Sequence, residues 1–182
     1  MRKLSGNKGM TLVEMLAAVL IIALLAAGMS AGMTSGMGVY ASAAFQSGSS
    51  SLAANINTTL SDILRYSTRY TPLDVENGPA FLITNLEYGM ENCYIECPPY
   101  DEETDRGGII QVCYWRENQA DARAPKALVN SGSYGNLRIT DFTLKPVPAN
   151  QAEYFEISYR IVSTDDPHAS RDVKTIVRMI NN

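Results

Sequence analysis

Apolar positions fall along this chain in three regimes. From residue 10 to residue 29 almost every position is apolar, Thr11, Glu14 and the small Gly28 being the exceptions. A helix of that length, rising about 1.5 Å per residue, spans roughly 30 Å, the thickness of a bilayer's hydrocarbon core. From Tyr40 the pattern becomes two-faced. Phe45, Leu52, Ile56, Leu60, Ile63 and Leu64 recur at helical spacing, with Asn55, Thr58, Asp62, Arg65 and Arg69 on the opposite face. The helix should stop by Thr71, because Pro72 disfavours helical geometry in the residue before it. One helix from about Met10 to Arg69 is expected, greasy all round in its first half and amphipathic in its second.

The third regime has period two. Phe155, Ile157, Tyr159 and Ile161 alternate with Glu156, Ser158 and Arg160, and Val173, Thr175, Val177 and Met179 repeat the pattern against Lys174 and Arg178. Residues 137–144 alternate too, but the phase shifts between Ile139 and Phe142, which predicts a bulge. The polar stretch 163–170 joins the last two strands. With the strand-like run 108–115, these segments predict an antiparallel sheet of at least four strands, whose apolar face covers the amphipathic helix. The fold class is α+β. Phe81 to Ile83 and Cys93 to Ile95 read as short strands, and 98–105 as a loop.

A small repeat marks the middle of the helix: Gly28, Gly32 and Gly36, each followed by methionine. At this spacing the glycines line one stripe, which permits close approach of helix backbones in a membrane. Glycine also weakens a helix interior by about 1 kcal/mol relative to alanine, so loss of helical order there is the competing expectation.

Charge changes the picture at the N-terminus. Residues 1–9 carry Arg2, Lys3 and Lys8 and no acid, so this flank should stay cytosolic and the C-terminal part should lie across the membrane. Glu14 sits five positions into the apolar segment, where a carboxylate costs on the order of 2–3 kcal/mol. No basic residue occurs between Met10 and Tyr40 to balance it. Scission after Gly9 would create an α-amino group on Met10, about one helical turn from Glu14 in the same chain and within reach of a neighbour's Glu14 in a bundle.

The residues Lys8, Gly9, Met10, Thr11, Leu12, Val13 and Glu14 resemble the prepilin-peptidase site of type IV pilins and type II secretion pseudopilins. In that family a basic leader ends in glycine, the mature protein begins with an N-methylated residue, and its fifth residue is glutamate. Met10 departs from the more common phenylalanine at the first mature position. The resemblance covers the first quarter of the chain. It implies a cleaved leader 1–9, a transmembrane and filament-core helix 10–38, an amphipathic continuation 39–70 and an extracytoplasmic sheet domain 71–182. It also implies processing at Gly9 and Met10, and assembly through Glu14, Gly28, Gly32 and Gly36. A secretory signal peptide cut near Ala27 and a plain uncleaved anchor are the competing readings, and neither accounts for Gly9 and Glu14 together.

The rest of the composition argues against other classes. A formal net charge of −4 gives no basic footprint for nucleic acid, and removal of the leader takes away three of the fifteen basic residues. Three cysteines, Cys93, Cys97 and Cys113, suit one disulfide and one remaining thiol outside the cytosol, with Cys113 bridging either Cys93 or Cys97. Zinc would need the single histidine, His168, as fourth ligand, and the spacing fits no common finger or ribbon. The acids Asp101, Glu102, Glu103 and Asp105 read as a solvated loop without EF-hand spacing. No P-loop or dinucleotide fingerprint is present.

The expected protein is therefore a structural subunit, a minor pilin or pseudopilin, without cofactor or catalytic activity. Its expected partners are other subunits, a prepilin peptidase, the membrane and an assembly machinery. It should be a single-pass membrane protein before assembly and part of a surface or periplasmic filament afterwards. A tethered adhesin predicts a groove containing Trp115 and Tyr114, and a secreted enzyme predicts a cleft of converging polar groups.

Overall fold

The computed structural model describes residues 11–67, 69–75, 78–85, 89–115, 124–147, 153–166 and 168–180. Helix α1 runs from Leu12 to Arg65, 54 residues, without interruption at Gly28, Gly32 or Gly36. The chain divides into two compact units, Met1–Ala44 and Phe45–Asn182. In the first, the large apolar side chains of the helix are exposed, Leu16 at 62%.

In the second unit, α1 buries Leu52, Ile56, Leu60, Ile63 and Leu64, the face that the helical periodicity marks. Among the described residues eight antiparallel strands follow: β1 (Arg69–Val75), β2 (Gly78–Asn85), β3 (Met90–Glu96), β4 (Gln111–Tyr114), β5 (Lys126–Ala127), β6 (Leu137–Val147), β7 (Tyr154–Ser163) and β8 (Ser170–Arg178). They form two sheets, of order β1-β2-β3-β4-β5 and β6-β7-β8. Ile83, Cys93 and Ile95 of the first sheet and Ile139, Phe155, Ile157 and Ile161 of the second share one core with the helix. The α+β layout is as expected.

The single sheet is not. The run 108–115 supplies β4, whose two edges are taken by β3 and β5, with Cys93 opposite Tyr114 and Gln111 opposite Ala127. Strand β6 therefore cannot join it, although the backbone N–H of Ile139 donates to the carbonyl of Gly108 at 2.8 Å. The expected bulge lies in β6, where the register against β7 shifts between Thr140 and Thr143 and Asp141 takes φ 54°. An extra residue there returns Leu144 to its place opposite Ile157.

The helix ends before the residues that the sequence pattern gave it, and hydrogen bonding explains why. The Ile63 carbonyl accepts from Ser67 Oγ at 2.6 Å and from buried Asn85 Nδ2 at 2.9 Å. The Arg65 carbonyl accepts from the Ile180 N–H at 3.0 Å. Last-turn carbonyls of a helix lack intrahelical donors. Here a side chain of β2 and the backbone beyond β8 supply them, and the chain leaves the helix to begin β1 at Arg69.

Candidate assembly site

Gly9 and Met10, the expected processing positions, lie outside the described residues. At Thr11 the helix has a built start. Thr11 N–H donates to Glu14 Oε2 at 2.9 Å, Thr11 Oγ1 donates to the same oxygen at 3.0 Å, and Glu14 N–H donates back to Thr11 Oγ1 at 3.3 Å. The first helical bond, from Met15 N–H to the Thr11 carbonyl, measures 3.1 Å. This is a reciprocal capping box, in which the carboxylate and the threonine hydroxyl satisfy otherwise orphaned amides. The carboxylate also sits at the positive end of the helix dipole. Thr11 is thus a partner of Glu14 that the hydropathy and charge argument did not find. The Thr-x-x-Glu spacing ahead of an apolar run is the signal that reveals it.

Among the described residues Glu14 accepts from the neutral donors of Thr11, which hold its charge without neutralising it. Along the helix beyond it, Gly28, Gly32 and Gly36 have nothing within 4 Å of the position a Cβ would occupy. Met29, Met33 and Met37 beside them are exposed. Residues 28–32 also spell Gly-Met-Ser-Ala-Gly, the letters of a nucleophile elbow. That motif works on a sharp strand-to-helix turn, whereas Ser30 lies inside α1 with its carbonyl accepting from Thr34 Oγ1 at 3.0 Å.

The cysteines sit apart from this region. All three are thiols in the structure. Cys93 lies opposite Tyr114 and Cys113 opposite Tyr94, so the pleat points Cys93 and Cys113 to opposite faces of the sheet, which disfavours a direct bridge. Cys113 Sγ donates to Glu96 Oε1 at 3.1 Å, and Cys97 Sγ approaches the Ile139 carbonyl at 3.8 Å. Burial, reinforced by the Glu96 carboxylate, pushes both the Cys97 and the Cys113 thiols up to about 12.

The other chemical candidates resolve into structure. Trp115 packs edge-on to Tyr94, with ring centroids 6.5 Å apart, while Tyr114 turns to the core. The two aromatic residues expected to line one groove therefore face opposite ways. In the acidic loop, Asp101 accepts from Glu103 N–H and Thr104 Oγ1, and Asp105 pairs with Arg138 at 2.8 Å. The guanidinium of Arg138, together with Tyr100, holds the Asp105 carboxyl below the usual range. Among the described residues no cluster of three potential metal ligands occurs.

Residues 4–30 match the prokaryotic N-terminal methylation motif, the signature of type IV pilins and pseudopilins. The chain matches no curated protein and no solved structure. The motif supports a pilin-like or pseudopilin subunit and marks structural proteins rather than enzymes. Helix α1 is near the N-terminus and long and apolar enough to cross a membrane, which fits a membrane-anchored precursor.

Proposed function

We propose that this protein is a minor pilin or pseudopilin, cut after Gly9 by a prepilin peptidase and assembled into a type IV pilus-like filament through the first half of α1. The observation that carries this is the pairing of the methylation motif over residues 4–30 with a helix whose large apolar side chains, from Leu12 to Met37, are left without cover among the described residues. Before assembly, lipid supplies that cover, with the Phe45–Asn182 unit on the outer side of the membrane. In the filament, neighbouring helices replace lipid, and Gly28, Gly32 and Gly36 admit close backbones. The new α-amino group on Met10 of an adjacent subunit gives Glu14 the positive partner that Thr11 cannot provide.

Mass spectrometry of the N-terminal peptide from native membranes tests the reading. A methylated N-terminus at Met10 is expected, and an intact leader or a start beyond Ala27 would refute it. Glu14→Val should insert into the membrane normally yet enter filaments poorly. Unimpaired incorporation would make the carboxylate dispensable.

A further inference from the structure

The middle of α1 draws its apolar surface from one residue type. Leu12 to Leu25 is rich in leucine, isoleucine and valine, and the next leucine is Leu52. From Ala26 to Gly38 the chain uses only alanine, glycine, serine, threonine and three methionines, Met29, Met33 and Met37. These lie four residues apart on an unbroken helix, so they share one stripe. They are 73%, 74% and 73% exposed. By contrast, Met90 and Met179 are 6% and 7% exposed and belong to the core under the two sheets. Every large apolar side chain that residues 26–38 can offer a neighbouring helix is therefore a thioether.

Position makes those sulfurs reachable. Residues 10–29 fill the roughly 30 Å of hydrocarbon, which leaves Met33 and Met37 about 6 Å and 12 Å further along the axis. Met33 then falls in the headgroup layer and Met37 at its watery margin, in the company of Ser30, Thr34 and Ser35. On the helix surface the residues three places from Met29 are Ala26 and Gly32, and those three places from Met33 are Ser30 and Gly36. All four are too small to shield a long side chain.

We propose that Met29, Met33 and Met37 form a site of reversible S-oxidation by peroxides, and that oxidation there withdraws the subunit from assembly. In the step, a thioether sulfur attacks one oxygen of hydrogen peroxide. The S–O bond forms as the O–O bond breaks, the sulfur is oxidised by two electrons to the sulfoxide, and the peroxide is reduced to water. Three sulfoxides strip residues 26–38 of their large apolar surface and set polar oxygens where neighbouring helices would pack. Helices in a membrane associate through such packing, so the loss falls on association and spares the sheet domain, whose methionines are buried. Met15 is exposed as well, but Leu12, Leu16 and Val19 around it keep its segment apolar after oxidation. The inference rests on the filament reading above.

The test uses the full-length chain in cells that process it, dosed with hydrogen peroxide before filaments form. Peptide mass spectrometry should find sulfoxide at Met29, Met33 and Met37 at least about tenfold ahead of Met90 and Met179, and filament yield should fall about tenfold once the stripe is oxidised. Equal oxidation of the core methionines, or full yield from chains oxidised at all three positions, would overturn the proposal. The triple variant Met29→Leu, Met33→Leu and Met37→Leu keeps the volume and removes the sulfur, so the same dose should change its yield less than about twofold. An equal fall in that variant would place the damage elsewhere and reject the site. Methionine sulfoxide reductases, one for each epimer, should restore the yield of the unsubstituted chain, whatever the leucine variant does. A yield that stays low with the sulfoxides gone also counts against it. An untreated chain that never forms filaments would sink the subunit reading and this consequence with it, in whatever order the methionines oxidise.

Discussion

Replacing Leu60 and Leu16 by alanine, one at a time, applies the same chemical change to two halves of one helix. Leu60 is 0% exposed, at the centre of the helix face that meets both sheets. Removing its three outer carbons forfeits burial and leaves a cavity, which costs about 3 kcal/mol. For a folding unit of this size that loss lowers the midpoint of thermal unfolding by about 10 °C. Leu16 is exposed and lies outside the buried core cluster, so Leu16→Ala should change folding stability by less than about 0.5 kcal/mol. The assay is urea or thermal unfolding of the full chain in a mild detergent, followed by fluorescence of the single tryptophan, Trp115, whose ring packs on Tyr94. Leu16→Ala should instead weaken association between copies. Equal losses of folding stability in the two variants, or a Leu60→Ala loss under about 1 kcal/mol, would refute the division of labour along α1.

Two further outcomes are expected. Gly107 has φ +81°, and a Cβ there would lie 2.0 Å from the Pro99 carbonyl oxygen, so Gly107→Ala should destabilise the domain by about 2–3 kcal/mol and release the loop that Asp105 ties to Arg138. Circular dichroism on denaturation checks the loss, and an unchanged midpoint contradicts it. Cys97 and Cys113 are raised to about 12 in the fold, well above an unfolded thiol, so the folded state holds their protons longer. Their contribution to stability is complete below about pH 8.5 and is lost as pH climbs toward 12. Both thiols should resist iodoacetamide at pH 8 until denaturant is added, and rapid alkylation of the native chain would contradict their burial.

The parts of the fold that were legible are those where burial leaves a period in the sequence. Leu52, Ile56 and Leu60 repeat at helical spacing because one face of α1 is covered, and residues 155–161 alternate because one face of β7 is covered. Even the bulge showed, since an inserted residue shifts the phase between Ile139 and Phe142. What stayed hidden depends on partners distant in sequence. Asn85 reaches Ile63 across 22 positions to end the helix, and no local pattern announces that bond. The split into two sheets depends on which edges of β4 are occupied, which is a matter of pairing rather than propensity. At the candidate assembly site, Glu14 stands out as a charge among apolar residues, whereas Thr11 reads as an ordinary small polar residue and its role lies in its hydrogen bonds.

The stitching at the end of α1 has a mechanical consequence. A pull along the helix axis reaches the Phe45–Asn182 unit through a segment held at its far end by Ser67, Asn85 and the Ile180 amide, and along its flank by interlocked aliphatic side chains. Drawing the helix out would require those clasps and the whole packed flank to yield together, instead of peeling one turn at a time. The domain is therefore suited to bearing tension delivered through its own backbone rod.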